Sequence, residues 1–286
     1  FPLVLELLNE LNLKITFFLV GSDAARPANG PHLRALTDRG HEVGNHSYEH
    51  ECWLHLYAPE ALEEEIARAE EAILAATGQR PRGFRGPGFS WSPTLFEILE
   101  RRGYRYDAST LPTFIGPLAR RYFLTSSDLT AEERQRRSGL FGAFSDGFRP
   151  NRPYRWRLAD GRGLLEIPVT TIPVVRVPFH LSYLLYLSRV SDRLMTAYLD
   201  SAIAACRVFG VEPSFLLHPL DLLGGEQVPE LAFFPGMDLP GPRKVTIFLE
   251  VLERLGRHFE LVPMGAHADV ILARKELAWR RPVLAV

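Results

Sequence analysis

Two histidines spaced four residues apart, His46 and His50, are the side chains in this sequence best suited to bind a metal ion. Imidazole is the commonest protein ligand for a transition metal near neutral pH. At this spacing, one helical turn or one tight loop can aim both rings at the same ion. A short extended segment leads into the pair, where Gly44 and Asn45 can shape a bend. The sequence therefore predicts a metal site at the end of a strand.

Three further segments bring polar side chains to the predicted ends of strands. They are Arg85-Gly86-Pro87-Gly88, Asp107-Ala108-Ser109 and Leu216-Leu217-His218-Pro219-Leu220-Asp221. An arginine beside small residues and a proline can hold a carboxylate while it leaves backbone N–H groups exposed. Taken singly, each segment has a structural alternative: Arg85 in a surface ion pair, Asp107 as a turn cap, or His218 packed near an apolar strand. Their order and their place at strand ends favour a shared site.

These positions follow from the predicted order of helices and strands. Extended apolar runs alternate with amphipathic helices, which is typical of parallel βα units. The predicted strands are 14–20, 41–45, 83–89, 104–109, 164–172, 214–218 and 260–262, and the predicted helices are 2–12, 31–39, 59–76, 92–102, 192–209 and 241–257. In such folds the catalytic loops follow the carboxyl ends of the strands. The sequence thus predicts a barrel-like α/β domain over residues 1–286.

Residues 111–163 interrupt this alternation. The segment has little periodicity, is rich in Pro, Gly, Arg and aromatic residues, and is too long for an ordinary connection. It is predicted to be an ordered insertion, a lid in one interpretation, with a short helix near 130–137. Within it, Arg149 and Trp156 are candidates for contact with a sugar or phosphate. The alternative is that they pin the insertion to the barrel.

The composition excludes some classes of function. Of the 286 residues, 46% are hydrophobic and 23% are charged, which is ordinary for a soluble globular enzyme. A net charge of −1 gives no basic footprint for nucleic acid. The two cysteines, Cys52 and Cys206, form no metal-type pair. We expect them to be buried or half-buried thiols, and they leave the cellular compartment open.

The segment Asn45-His46-Ser47-Tyr48-Glu49-His50 resembles the metal-binding motif of the polysaccharide deacetylases, the NodB-homology group also called carbohydrate esterase family 4. Phe84-Arg85-Gly86-Pro87-Gly88 is similar to the Arg-x-Pro motif of that family, and Leu217-His218-Pro219 to its late Leu-x-His motif. The resemblance covers about residues 1–262. It implies a distorted (β/α) barrel with a long inserted loop region, and a divalent metal, most commonly zinc.

The resemblance also implies a role for each site residue. His46 and His50 would be metal ligands, and Arg85 would orient a catalytic carboxylate. The backbone N–H near Gly88 would help to hold the oxyanion of a tetrahedral intermediate. His218 would be the general acid that protonates the leaving sugar amine.

Two departures from the family pattern affect the site. The early acidic motif, which supplies the general base and the third metal ligand, is absent from the sequence. We expect it upstream of Phe1, because residues 2–12 already have a helical pattern; the alternative is a true loss. Gly88 stands where many relatives carry an aromatic residue, which alters one wall of the sugar site. Separately, the proximity of Asp221 to His218 predicts that its carboxylate orients that histidine.

The predicted function is metal-dependent removal of an N-acyl group, acetyl or formyl, from an amino sugar in a polysaccharide or a lipid-linked glycan. Two alternatives stay open: an inactive carbohydrate-binding relative, and a hydrolase of non-sugar amides on the same fold. The apolar run 169–187 predicts a strand and a packed helix. Its alternative is an exposed apolar lip that makes peripheral contact with a membrane or a lipid-linked sugar. The oligomeric state does not follow from the sequence.

Overall fold

The structure is a computed structural model, and it describes residues 2–118, 121, 142–232, 236–274 and 276–283. By compactness the chain divides into unit 1, Phe1–Pro168 with Val262–Val286, and unit 2, Val169–Leu261. The prediction of one catalytic domain over residues 1–286 stays a prediction, because compact units and functional domains need not coincide. Among the described residues, none of the helices combines the length and apolar character that a bilayer-spanning segment needs.

Unit 1 is built on one mostly parallel sheet. Its strands in the described part are β1 (Thr16–Leu19), β2 (Glu42–Asn45), β3 (Gly83–Phe84), β4 (Tyr106–Asp107), β5 (Tyr154–Arg157), β6 (Gly163–Glu166) and β7 (Trp279–Arg280). Their order is β1-β2-β3-β4-β6-β5-β7, and only the β5–β6 pair is antiparallel. The α/β class is confirmed, and the described strands form an open sheet rather than a closed ring.

The helices follow local sequence signals. Those bounded within the described residues are, in chain order, α1 (Pro2–Glu10), α2 (Gly21–Ala24), α3 (Gly30–Asp38), α4 (Pro59–Thr77), α5 (Pro93–Arg101), α6 (Leu181–Ser188), α7 (Asp192–Val208), α8 (Gly241–Gly256) and α9 (Met264–Leu272). Helix α4 starts at a proline and is capped after Thr77 by Gly78, whose φ of 71° is left-handed. The Ser92 hydroxyl caps α5 by accepting from Leu95 N. The helices predicted at 59–76, 192–209 and 241–257 are confirmed to within one residue.

The core of unit 1 joins the sheet to its helices. Phe84 of β3 and Leu164 of β6 share a cluster with Ile66 of α4. In the same cluster Trp91, Phe96 and Trp156 stack, with ring centroids 5.0–5.4 Å apart. The predicted insertion 111–163 therefore rejoins the sheet early, because β5 lies within it. The helix predicted at 130–137 lies outside the described residues.

Unit 2 shows where extended patterns fail to form strands. No strand is assigned over residues 211–218, so the strand predicted at 214–218 is wrong. Pro213 and Pro219 bracket this segment and donate no backbone hydrogen bonds. The segment makes isolated hydrogen bonds in place of a strand ladder: Thr170 N donates to Ser214 O at 3.1 Å, and Leu181 N donates to Leu216 O at 3.3 Å. Residues 260–262 also form no strand. The strand predicted at 164–172 is shorter in the structure, where it corresponds to β6.

The apolar run 169–187 divides between buried and exposed side chains. The packed helix is confirmed, since α6 buries Leu181, Leu184 and Leu185. Two valines, Val174 and Val175, are exposed at a turn that is closed by Ile172 N donating to Val177 O at 2.9 Å. Peripheral membrane contact stays a prediction.

Gly21 marks a close approach between α2 and α4. A Cβ on this residue would lie 2.7 Å from Ala69 Cα and 2.6 Å from Tyr48 Cδ2. We expect Gly21→Ala to lower the free energy of unfolding by about 1–3 kcal/mol because the backbone of α4 cannot yield cheaply. Urea denaturation measures the change. The matched control is Gly30→Ala, since a Cβ at that helical position meets nothing within 4 Å. Equal unfolding midpoints for the two variants would show that α2 and α4 are not in close contact.

Candidate metal-binding and catalytic residues

The histidine loop, residues 46–50, begins where β2 ends. Its first backbone N–H, that of His46, donates to Leu19 O at the end of β1 at 2.9 Å. The His46 Nδ1 atom lies 2.6 Å from the carbonyl oxygen of Arg85. Because a carbonyl oxygen only accepts, Nδ1 carries the proton and Nε2 is the nitrogen with a lone pair for a metal. The His46 and His50 ring centroids are 4.8 Å apart.

The loop bends sharply through two residues in the left-handed region. Ser47 has φ 62° and His50 has φ 60°, and side chains other than glycine rarely adopt such values. Hydrogen bonds offset this cost. Ser47 N donates to Asn45 Oδ1 at 2.8 Å, and His50 N donates to Ser47 Oγ at 3.0 Å. The polar residues of the motif thus hold the bend that turns both imidazoles to one side.

Glu65 on α4 holds the same loop from outside the motif. Its Oε1 accepts from Tyr48 N at 2.9 Å and from Glu49 N at 2.7 Å. The side chain is buried, beside Ile66. No motif in the sequence distinguishes Glu65 from the other glutamates of α4. The signal it offered is its position on the apolar face of that helix, where an acidic residue needs a partner.

Arg85 reaches the histidine loop because β3 pairs with β2. Its backbone N donates to Asn45 O at 3.0 Å. The guanidinium is buried, which excludes the surface ion pair, and Nε donates to Ala108 O at 3.1 Å. Burial lowers the pKa of Arg85 to about 10, although Tyr106, Asp107 and Glu166 act in the opposite direction. Arg85 is therefore a buried cation at the carboxyl end of the sheet.

Gly88 follows Arg85 in a short 3₁₀ turn. Its φ of 59° and ψ of 23° lie in the left-handed region, where glycine is favoured. The turn is tied to β4, since Gly86 N donates to Ser109 Oγ at 2.7 Å. The oxyanion role of the backbone N–H near Gly88 stays a prediction.

Two carboxyl groups lie side by side on adjacent strands, close enough to Arg85 to oppose the lowering of its pKa by burial. Asp107 of β4 and Glu166 of β6 are paired across the sheet, and both are fully buried. Ser109 donates to Asp107 through N at 3.0 Å and Oγ at 2.6 Å. Burial raises the pKa of Asp107; burial and the neighbouring Asp107 raise the pKa of Glu166 well above its ordinary value. The pair holds a proton at a pH where exposed carboxyl groups are ionised.

In unit 2, His218 and Asp221 share one 3₁₀ turn. His218 N donates to Asp221 Oδ2 at 2.8 Å, so the acid caps the turn that follows the histidine. The direct distance from His218 Nδ1 to Asp221 Oδ2 is 3.7 Å. Ser182 lies closer to both, with Oγ 3.0 Å from His218 Nδ1 and 2.8 Å from Asp221 Oδ1. The sequence predicts His218 and Asp221 as site residues, whereas no motif marks Ser182.

Residues 1–106, which carry the histidine loop and Arg85, match the model of the polysaccharide deacetylase family. This segment is therefore similar to the polysaccharide deacetylases. A peptidoglycan deacetylase of Helicobacter pylori is 30% identical over 110 residues, which is 38% of this chain and 36% of that protein. A chitooligosaccharide deacetylase of Bradyrhizobium is 33% identical over 104 residues, 36% of this chain and 46% of that protein. The chain thus spans less than half the length of these relatives.

A solved structure extends the likeness in fold to the whole chain. A Mycobacterium smegmatis protein assigned to the polysaccharide deacetylases superposes with a TM-score of 0.60 at 18% identity, over 100% of this chain and 80% of that one. At this identity the likeness shows the fold alone. It confirms the predicted α/β fold of the polysaccharide deacetylase type.

The histidine loop has the geometry of a pair of candidate metal ligands. The rings are close together, and the carbonyl oxygen of Arg85 fixes the tautomer of His46. Such an outer hydrogen bond is usual for metal-binding histidines. Within the described part of the chain, no cluster of three or more His, Cys, Asp or Glu side chains is arranged to hold a metal. Among the described residues, His46 and His50 are thus two candidate ligands.

Trp156 and Arg149 contribute to the packing of unit 1. Trp156 is 1% exposed, and its Nε1 donates to Glu166 Oε2 at 2.9 Å. Arg149 places its guanidinium carbon 4.4 Å from the centroid of the Trp91 ring and donates through Nε to Asp146 at 2.6 Å. These contacts favour the alternative in which both residues pin the insertion, and the burial of Trp156 is against a sugar contact by its ring.

Glu65→Ala is expected to weaken metal binding at the histidine loop by about 10–100-fold, the size of effect found when groups that orient metal ligands are removed. The variant leaves Tyr48 N and Glu49 N without their acceptor, so the bend that pairs His46 with His50 loosens. Zinc titration against a competing chelator measures the affinity. The matched control is Glu64→Ala, on the exposed face of the same helix. If both variants bind zinc like the wild type, Glu65 does not organise the loop.

Proposed function

We propose that this chain hydrolyses the N-acyl group, acetyl or formyl, of an amino sugar in a polysaccharide or lipid-linked glycan with the help of a divalent metal. The observation that carries the proposal is the histidine loop, whose two imidazoles lie 4.8 Å apart within a segment of the polysaccharide deacetylase family. The substrate class enters from the relatives, which are named as deacetylases of peptidoglycan and chitooligosaccharide.

Zinc is the proposed metal because imidazole is among its preferred ligands. His46 and His50 would hold it, together with the aspartate that the family resemblance implies. When bound, such an ion supplies Lewis acidity toward the amide carbonyl and acidifies water near neutral pH. The protein's part is to fix the two imidazoles, which the bonds to Arg85 O and Glu65 support.

The other residues act on charge and protons. One water is consumed for each acyl group: the amide C–N bond breaks, oxygen joins the acyl carbon and the amine takes a proton. His218 is proposed to donate that proton, and Asp221 to keep the ring oriented. The backbone N–H near Gly88 would stabilise the oxyanion. Arg85 would hold a catalytic carboxylate, as a buried guanidinium suits a charge-assisted hydrogen bond.

The experiment is a release assay on a substrate panel. Zinc-loaded protein is incubated with an N-acetylated chitooligosaccharide, a peptidoglycan fragment and a cyclic imide, and both the carboxylic acid and the free amine are quantified. We expect equal amounts of acid and amine from an amino-sugar substrate. Turnover of the imide alone would favour the non-sugar hydrolase. Binding of glycans without release would favour the inactive carbohydrate-binding relative.

A further inference from the structure

The serine between His218 and Asp221 has only one arrangement of protons that satisfies all three groups. An ionised carboxylate only accepts, so the single hydrogen of the Ser182 hydroxyl points to Asp221 Oδ1, 2.8 Å away. The Ser182 oxygen then accepts from His218 Nδ1–H at 3.0 Å. A direct bond from His218 Nδ1 to Asp221 is excluded by their 3.7 Å separation.

Both ends of this Asp–Ser–His chain are fixed by their surroundings. Asp221 is buried, and its second oxygen accepts from His218 N at 2.8 Å. The buried Lys244 donates from Nζ to Leu220 O at 2.7 Å and to Leu223 O at 2.6 Å, which holds the turn around Asp221. Ser182 is the second residue of α6, so the start of that helix sets its position.

The order of the three groups argues against a nucleophilic serine. In Ser–His–Asp hydrolases the histidine lies between the other two and removes the proton of the serine. Here the serine lies in the middle, and its hydroxyl donates a hydrogen bond to the carboxylate. The hydroxyl therefore bridges the carboxylate and the imidazole. The imidazole, whose side chain is 49% exposed, is the group of the three that can exchange a proton with a substrate.

We propose that Ser182 is a positioning residue that transmits the orienting effect of Asp221 to His218. Its hydroxyl holds neutral His218 as the Nδ1–H tautomer, so Nε2 is the nitrogen that gains a proton and gives it to the leaving amine. This inference rests on the proposed role of His218 as the general acid. The sequence predicts a direct contact between Asp221 and His218. In the structure the Ser182 hydroxyl lies between them and links them.

The test compares Ser182→Ala with Ser182→Thr, which keeps the hydroxyl, and with Ser188→Ala as the matched control. Ser188 lies on the same helix and donates to Leu185 O at 2.7 Å, with no part in the chain to His218. Nitrogen NMR of histidine-labelled protein, at a pH where the imidazole is neutral, reports the His218 tautomer; a His218→Ala sample assigns its signals. The release assay gives kcat and KM.

We expect the wild type, Ser182→Thr and Ser188→Ala to show the Nδ1–H form. Ser182→Ala should show a mixture of tautomers, and its kcat should fall about 10–100-fold, a part of the roughly 10²–10⁴ that a general acid contributes. Its KM should change little. An Nε2–H tautomer in the wild type would overturn the inference even if Ser182→Ala fails to fold, as would an unchanged tautomer in Ser182→Ala. A chain without deacylase activity that still shows these tautomers would refute the proposed function and leave the bridge intact.

Discussion

His46→Ala and His50→Ala are each expected to lose bound zinc and turnover together, whereas His218→Ala is expected to keep the zinc and lose turnover. Each loop variant leaves a single imidazole, so the two neighbouring rings can no longer bind the same ion together. His218 contacts Ser182 and shares its turn with Asp221. Its loss should lower kcat about 10²–10⁴-fold, the range for a general acid. Metal analysis after dialysis and the acyl-release assay on the same samples measure both quantities.

The control for this comparison is His258→Ala, an exposed histidine just after α8. It should keep both metal and turnover, which excludes a general effect of losing an imidazole. Equal loss of zinc in His46→Ala, His50→Ala and His218→Ala would contradict the separate roles. Full metal content in His46→Ala would place the metal elsewhere.

The second large effect expected is on stability, because Asp107 and Glu166 together hold a proton in the folded protein. Their ordinary pKa values, 3.8 and 4.5, are raised mainly by burial. The unfolded chain therefore releases protons that the folded chain keeps, and stability from this pair falls as pH rises. The loss begins near those ordinary values and continues until the folded pair loses its proton. One retained proton corresponds to a slope of about −1.4 kcal/mol per pH unit.

Glu166→Gln is the variant that tests this sign. It removes one titrating group at the same volume, and the lone Asp107 carboxylate then faces Arg85 without an acidic neighbour. We expect the free energy of unfolding, measured in urea between about pH 5 and pH 8, to fall less steeply with pH than in the wild type, by up to about 1.4 kcal/mol per pH unit. The exposed Glu71→Gln is the control. If the free energy of unfolding falls with pH equally steeply in Glu166→Gln and in the wild type, the folded pair does not keep a proton.

Local patterns predicted the elements whose signals are local. The apolar period and end signals of α4, α7 and α8 gave their bounds to within one residue. The histidine loop followed from ligand spacing, and the pairing of β3 with β2 brings Arg85 beside it as strand-end placement predicted. The strand predicted at 214–218 failed because an apolar run between two prolines still needs neighbouring strands to pair with.

The residues that sequence reasoning missed act over long separations. Glu65 accepts from Tyr48, seventeen positions away, and Ser182 reaches Asp221, thirty-nine positions away. Glu166 meets Thr110 across fifty-six positions. No period or motif marks such partners, because the fold alone brings them together. Trp156 is the opposite case. Its aromatic side chain makes it a candidate for contact with a sugar, but the side chain is buried in the core, which favours a role in packing.

The most direct measurement of the central claim is anomalous diffraction at the zinc edge from crystals of the zinc-loaded protein. The proposed function predicts one strong peak at the histidine loop, about 2.0–2.1 Å from Nε2 of His46 and from a ring nitrogen of His50. Crystals of zinc-loaded Glu65→Ala, measured in the same way, should show a weaker peak at this position. Zinc bound elsewhere in the molecule, with no peak at the histidine loop, would contradict the assignment of this loop as the metal site.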